Sequence, residues 1–93
     1  MRADHVLTGA ETALRGRMKE YGSPDASLGN IAALWSVVLQ TEVTPSEVAL
    51  CMSALKIGRL INTPQHFDSW CDLAGYAAIG GEVATEADND GTS

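Results

Sequence analysis

The sequence predicts an all-α fold, a compact four-helix domain, on three observations. Pro24, Pro45 and Pro64 each follow a hydroxyl residue, Ser23, Thr44 and Thr63. A hydroxyl at the N-cap accepts an orphan backbone amide, and proline at the first helical position has no amide to orphan, so each pair reads as a helix start. Three starts divide the chain into four helices. Between them, apolar residues recur at spacings of three and four, the signature of one helical face. No useful run alternates with period two, and no hairpin dipeptide separates two β-branched runs, so strands have no support.

The first helix is expected over residues 4–20, with Val6, Ala10, Leu14, Met18 and Tyr21 on its inner stripe. Gly22 stops it and Pro24 prevents its continuation. The second runs from Pro24, or from Leu28 if Gly29 weakens the first turn by its usual cost of about 1 kcal/mol, to Gln40. Leu28, Ile31, Trp35, Val38 and Leu39 are its expected inner face. The third starts with the strongest local signal in the chain, Thr44-Pro45-Ser46-Glu47, a capping box in which Thr44 and Glu47 satisfy each other's orphan amides. Its body, VALCMSALKIGRLI, is apolar nearly all round, with Ser53, Lys56 and Arg59 as the one polar stripe, so it is expected to be central and covered on most sides. The fourth begins between Pro64 and Phe67 and runs to Gly80. Trp70, Leu73, Ala74 and Ala77 form one face, while Asp68, Asp72 and Tyr76 project together from another.

A chain of 93 residues is one domain, read as residues 4–81 followed by an acidic, disordered tail at 82–93. The net charge of −6 is concentrated in that tail; residues 1–80 carry six cations against eight carboxylates. A nearly neutral body lacks the basic surface that displaces counterions, so general nucleic-acid binding is not expected. No apolar run reaches the length of a membrane span, and the amino terminus lacks a signal-peptide core, which gives a cytoplasmic protein without membrane association. Cys51 and Cys71 have neither CxxC nor finger spacing and read as buried, reduced thiols. Hydrophobic residues make up 45% and charged residues 19%, below the usual charged share of about 25%. A domain this small leaves part of that apolar excess outside unless another subunit covers it, so a homo-oligomer is expected.

Candidate binding residues fall in two clusters. Lys56 and Arg59 on the third helix are expected to face Asp68 and Asp72 on the fourth, as an inter-helix ion-pair network, a ligand pocket, or both. In the pocket reading the cations take phosphate and the aspartates meet a base, a ribose or a metal ion. Arg17, Lys19 and Tyr21 close the first helix, either as a solvated terminus or with Tyr21 stacking on a base beside a phosphate held by Arg17 or Lys19. Neither His5 nor His66 has a partner at metal-ligand spacing, and His66 reads as an exposed first-turn residue. No nucleophile elbow, phosphate loop or dinucleotide fingerprint occurs, so no catalytic residue, resident metal or cofactor is assigned.

The segments YGSP (21–24), IAALWS (31–36), TPSEVALCMSALKIGRL (44–60) and DSWCDLAGYAA (68–78) resemble a family of small helical phage and prophage proteins known as a domain of unknown function. The resemblance spans residues 6–84 and implies a phage-encoded protein of the host cytoplasm. Its matching polar positions are Arg17, Tyr21, Lys56, Arg59, Asp68, Asp72 and Tyr76. Phage proteins of this size include sponges that sequester cyclic nucleotides or cyclic ADP-ribose immune signals. By that analogy of size and origin the chain is expected to be a non-catalytic nucleotide-binding homo-oligomer with an anti-defence role. A remoter similarity is to all-α nucleoside triphosphate pyrophosphohydrolases of the MazG type, which would need magnesium. Lys56 and Arg59 stand where that family carries further carboxylates, so hydrolysis is the alternative reading. A second alternative is an inhibitor that binds a host protein through apolar surface and the acidic tail.

Overall fold

A computed structural model describes residues 1–87, with side chains as far as Thr85, and contains four helices in the expected order. They are α1 (Ala3–Tyr21), α2 (Pro24–Leu39), α3 (Pro45–Asn62) and α4 (Phe67–Ala87). The starts of α2 and α3 follow the sequence logic. Ser23 Oγ accepts the Ala26 amide, and Pro24 occupies the first turn, so α2 begins there rather than at Leu28. Both halves of the capping box form: Glu47 N donates to Thr44 Oγ1 at 3.2 Å, and Thr44 N donates to Glu47 Oε1 at 2.9 Å. α1 ends at Gly22, whose φ of 86° lies in the left-handed region that glycine enters without strain.

The third hydroxyl-proline pair does not start a helix. Thr63 instead closes α3, its amide bonded to Arg59 O, and Pro64 O accepts the Trp70 indole at 2.8 Å. α4 begins three residues after Pro64, where half-buried His66 acts as the cap. Its Nδ1 accepts the Ser69 amide at 3.2 Å and lies 2.6 Å from the hydroxyl of fully buried Ser69. His66 is thus a structural residue rather than the exposed one expected.

α3 and α4 form an antiparallel hairpin with the most extensive contact in the molecule. α1 lies against α4 and α2 against α3. The core is built from Leu28 and Ala32 of α2, Val48 and Ala49 of α3, and Ile79 and Val83 of α4, with Leu14, Trp35 and Tyr76 packed at its edge. Fully burying a side chain the size of Val or Leu stabilises by about 1.5–3 kcal/mol, and this explains the length of α4. Gly80 and Gly81 read as a stop and cost about 2 kcal/mol together relative to alanine, but burial of Val83 offsets that loss. The segment from 82 to 87, expected as tail, is therefore helical; residues 88–93 of the expected tail lie outside the described residues.

The inner faces differ from expectation in a consistent way. Met18 and Tyr21 of α1, and Val38 and Leu39 of α2, are exposed. α3 is not covered on most sides: Val48, Ala49 and Leu60 are buried while Leu50, Leu55, Ile57 and Ile61 face outward. On α4 the buried stripe is Cys71, Gly75, Ile79 and Val83, not the line through Trp70, Leu73 and Ala77. Each of the four helices buries one narrow stripe, and small residues permit the closest approach. A Cβ built on Gly80 would lie 2.9 Å from Ala49 Cβ, and one on Gly9 would lie 2.5 Å from Cys71 Sγ. Cys71 is buried as expected, whereas Cys51 is exposed.

Candidate functional site

The close approach of α1 to α4 that Gly9 permits continues toward the other end of the pair as a cleft of about 140 Å³. Ala13, Leu14 and Arg17 contribute one wall, and Asp72, Gly75, Tyr76 and Ile79 the other. Small residues at positions 13 and 75 leave the space that larger side chains would fill.

Arg17 is the centre of the site. Its guanidinium carbon lies 5.5 Å from the centroid of the Tyr21 ring, one turn further along α1, and 5.8 Å from that of Tyr76 on α4. A cation within about 6 Å of an aromatic face is attracted by the ring quadrupole, so the two tyrosines hold the guanidinium in place. Its Nε is buried without a hydrogen-bond partner. An unpaired buried donor costs about 1–3 kcal/mol, a loss that an acceptor in the cleft would recover if the guanidinium turned to meet it. Tyr21 itself is 59% exposed, leaving much of its ring free.

Asp72 is claimed by the other cluster. Lys56 Nζ reaches across from α3 and lies 3.0 Å from Asp72 Oδ2; the lysine side chain is 17% exposed and the aspartate 38%. This is one inter-helix pair rather than a network of four charges. Arg59 and Asp68 are exposed, and neither is in an ion pair among the described residues. Arg59 shares a shallow depression on α3 with Lys56 instead. Of the seven residues selected from sequence, Arg17, Tyr21, Tyr76, Asp72 and Lys56 are brought together, while Arg59 and Asp68 stand apart from the cleft. Beneath them, burial pushes the Cys71 thiol above its ordinary value, and the charges of Asp68 and Asp72 act in the same direction.

Of the residues lining the cleft, Arg17, Asp72 and Tyr76 are candidates read from the sequence, while Ala13, Leu14, Gly75 and Ile79 are not. Ala13 lies one turn before Arg17 and has only its small size as a signal, whereas Gly75, with Ala74, Ala77 and Ala78, reads as permitting close helix approach. Leu14 reads simply as core, and Ile79 lies off the inner face expected for the fourth helix.

An all-helical domain with a cation clamped between two tyrosines at a small cleft is the class these features define. The chain belongs to the family described as a domain of unknown function, DUF6378, which it matches over residues 5–84. It is similar to two phage gene products. The Gene 55 protein of Mycobacterium phage D29 is 38% identical over 76 residues, 81% of this chain and 50% of that protein. The Gene 55 protein of Mycobacterium phage L5 is 38% identical over 76 residues, 80% of this chain and 49% of that one. The chain thus spans about half the length of these curated relatives. The phage connection expected from the sequence agrees with both relatives. No solved structure gives a significant match, and no helix among the described residues is long and apolar enough to cross a membrane.

Proposed function

We propose that this chain is a non-catalytic nucleotide-binding protein of phage type, which sequesters a cyclic nucleotide or cyclic ADP-ribose immune signal in the host cytoplasm. The observation that carries the proposal is Arg17, a cation held between Tyr21 and Tyr76 at an open cleft with a buried donor unpaired. A phosphate oxygen is the acceptor that would satisfy it, and charge-assisted hydrogen bonds to phosphate are the strong ones. The cleft is smaller than the usual small-molecule site of about 300 Å³ or more, so it takes one phosphate and the rest of the ligand lies outside. The exposed Tyr21 ring then offers a stacking surface for the base. Lys56, neutralised by Asp72, adds positive charge only if that pair opens; Arg59 and Asp68 enter only by contacting the part of the ligand outside the cleft.

The magnesium-dependent pyrophosphohydrolase alternative has less to build on. Among the described residues no group of three or more His, Cys, Asp or Glu side chains stands at metal-binding distance, and Asp72 is already paired with Lys56.

The test is to incubate the purified protein with nucleoside triphosphates, cyclic di- and trinucleotides and cyclic ADP-ribose isomers, filter it, denature the retained fraction and analyse both fractions by chromatography. A compound depleted from the filtrate and released intact is the expected result. A new product would replace sequestration with hydrolysis, and an unchanged panel would favour binding to a host protein.

A further inference from the structure

The outer face of the α3/α4 hairpin carries two stripes of uncharged, mostly apolar residues that are exposed or half-buried in the folded chain. On α3 the stripe is Ser46, Leu50, Ser53, Ile57 and Ile61, and on α4 it is Trp70, Leu73, Ala77, Gly80 and Ala84. Spacings of 4, 3, 4, 4 and 3, 4, 3, 4 are the three-four repeat by which one helix pair seats on another in a bundle. The stripes line two adjoining grooves that share Leu73, one of about 480 Å³ and one of about 280 Å³, and no charged residue lines either. In a chain of net charge −6, an uncharged face is where a second acidic chain can approach without like charges being buried.

The shape of this face selects the occupant. Its end near the α3–α4 turn is bulky, with Ile61 80% and Trp70 38% exposed. Its other end is a floor of small residues on α4, Gly80, Gly81 and Ala84, flanked by exposed Leu50 of α3. A two-fold axis through the middle of the hairpin lays the bulky end of one copy over the small-residue floor of the other, twice, which is the self-complementarity an isologous dimer requires. Eighteen residues of helix span about 27 Å and two packed helices about 20 Å across. The projected area is then about 500 Å², of the order of the roughly 800 Å² of accessible surface that each partner contributes to a standard interface.

We infer that this face is a homodimer interface, in which two α3/α4 hairpins form an intermolecular four-helix bundle. The inference is independent of the nucleotide reading, because it concerns the protein without ligand. Tyr76 links the two features, since it borders both the α1/α4 cleft and the α3/α4 groove.

Sedimentation velocity on the full chain at micromolar concentration, without nucleotide, tests it. The wild type is expected to sediment as a dimer. Ile61→Arg at the bulky end and Ala84→Arg at the floor, both at exposed positions, are expected to give monomers with unchanged helical circular dichroism. Leu34→Arg, on the exposed face of α2, is the control and is expected to remain dimeric. A monomeric wild type overturns the inference and leaves the face to another partner. So does a set in which Leu34→Arg dissociates the dimer while Ile61→Arg and Ala84→Arg do not.

Discussion

Gly9→Ala tests the packing that builds the cleft. The new methyl would lie 2.5 Å from Cys71 Sγ and 3.4 Å from the edge of the Phe67 ring. The first distance is closer than carbon and sulfur tolerate, so either the thiol rotates or α1 moves away from α4. Overpacking of this kind costs about 1–3 kcal/mol. Against it stands the helix propensity gained by replacing glycine with alanine inside α1, about 1 kcal/mol. The net expectation is a destabilisation of about 0–2 kcal/mol, and a single melting curve would not separate the two effects. A cycle with Cys71→Ala does. That change removes the sulfur and leaves the propensity gain, so in its background Gly9→Ala is expected to stabilise by up to about 1 kcal/mol. The sign of the effect therefore reverses between backgrounds, or at least shifts by about 1–3 kcal/mol. For a domain of this size 1 kcal/mol moves Tm by about 4–8 °C, which thermal melts followed by circular dichroism resolve. Equal Tm changes from Gly9→Ala in both backgrounds would refute the close α1–α4 contact at Cys71, and with it the placement of Arg17 against Tyr76.

Two further predictions concern the thiols. In native protein at pH 8, a thiol reagent is expected to modify exposed Cys51 quickly and buried Cys71 only at the rate of unfolding; equal rates would contradict the burial of Cys71. Because the folded Cys71 thiol titrates above its unfolded value of about 8.5, the unfolded chain releases this proton first as pH rises, so the stability it contributes is full below that pH and declines above it. The stability advantage of wild type over Cys71→Ala should therefore shrink in urea melts as pH is raised through 9 and beyond, and a constant difference would refute the burial effect.

The sequence was most legible where chemistry is local. Ser23 with Pro24, and Thr44 with Glu47, act within one turn, and both helix starts are as read. The same logic failed at Thr63–Pro64 because other local interactions compete there: Thr63 closes α3, and His66, two residues past Pro64, supplies the cap of α4. The inner faces of α3 and α4 were illegible for another reason. A helix apolar on nearly every side carries no directional information, and on α4 the small residues Cys71 and Gly75 pack inward while larger side chains remain outside. The pairing of Arg17 with Tyr21 follows from i, i+4 spacing, but the meeting of Arg17 with Tyr76 depends on α1 crossing α4. Selecting Lys56 and Asp72 as neighbours succeeded because a short turn joins their helices; Arg59 and Asp68 fell outside because each lies on a turn that faces solvent.

The most direct measurement compares wild type with Arg17→Met for both Tm and binding of the nucleotide retained in the panel. Methionine keeps an apolar, polarizable contact with the two rings and removes the unpaired donor, so a lost cation–π attraction of about 1–2 kcal/mol is offset by a similar relief. The Tm is expected to stay within about 8 °C of wild type. Loss of charge-assisted bonds worth about 1.5–3 kcal/mol should weaken nucleotide binding by about tenfold to a hundredfold. Unchanged affinity in a folded Arg17→Met variant would contradict the assignment of Arg17 as the phosphate-binding residue.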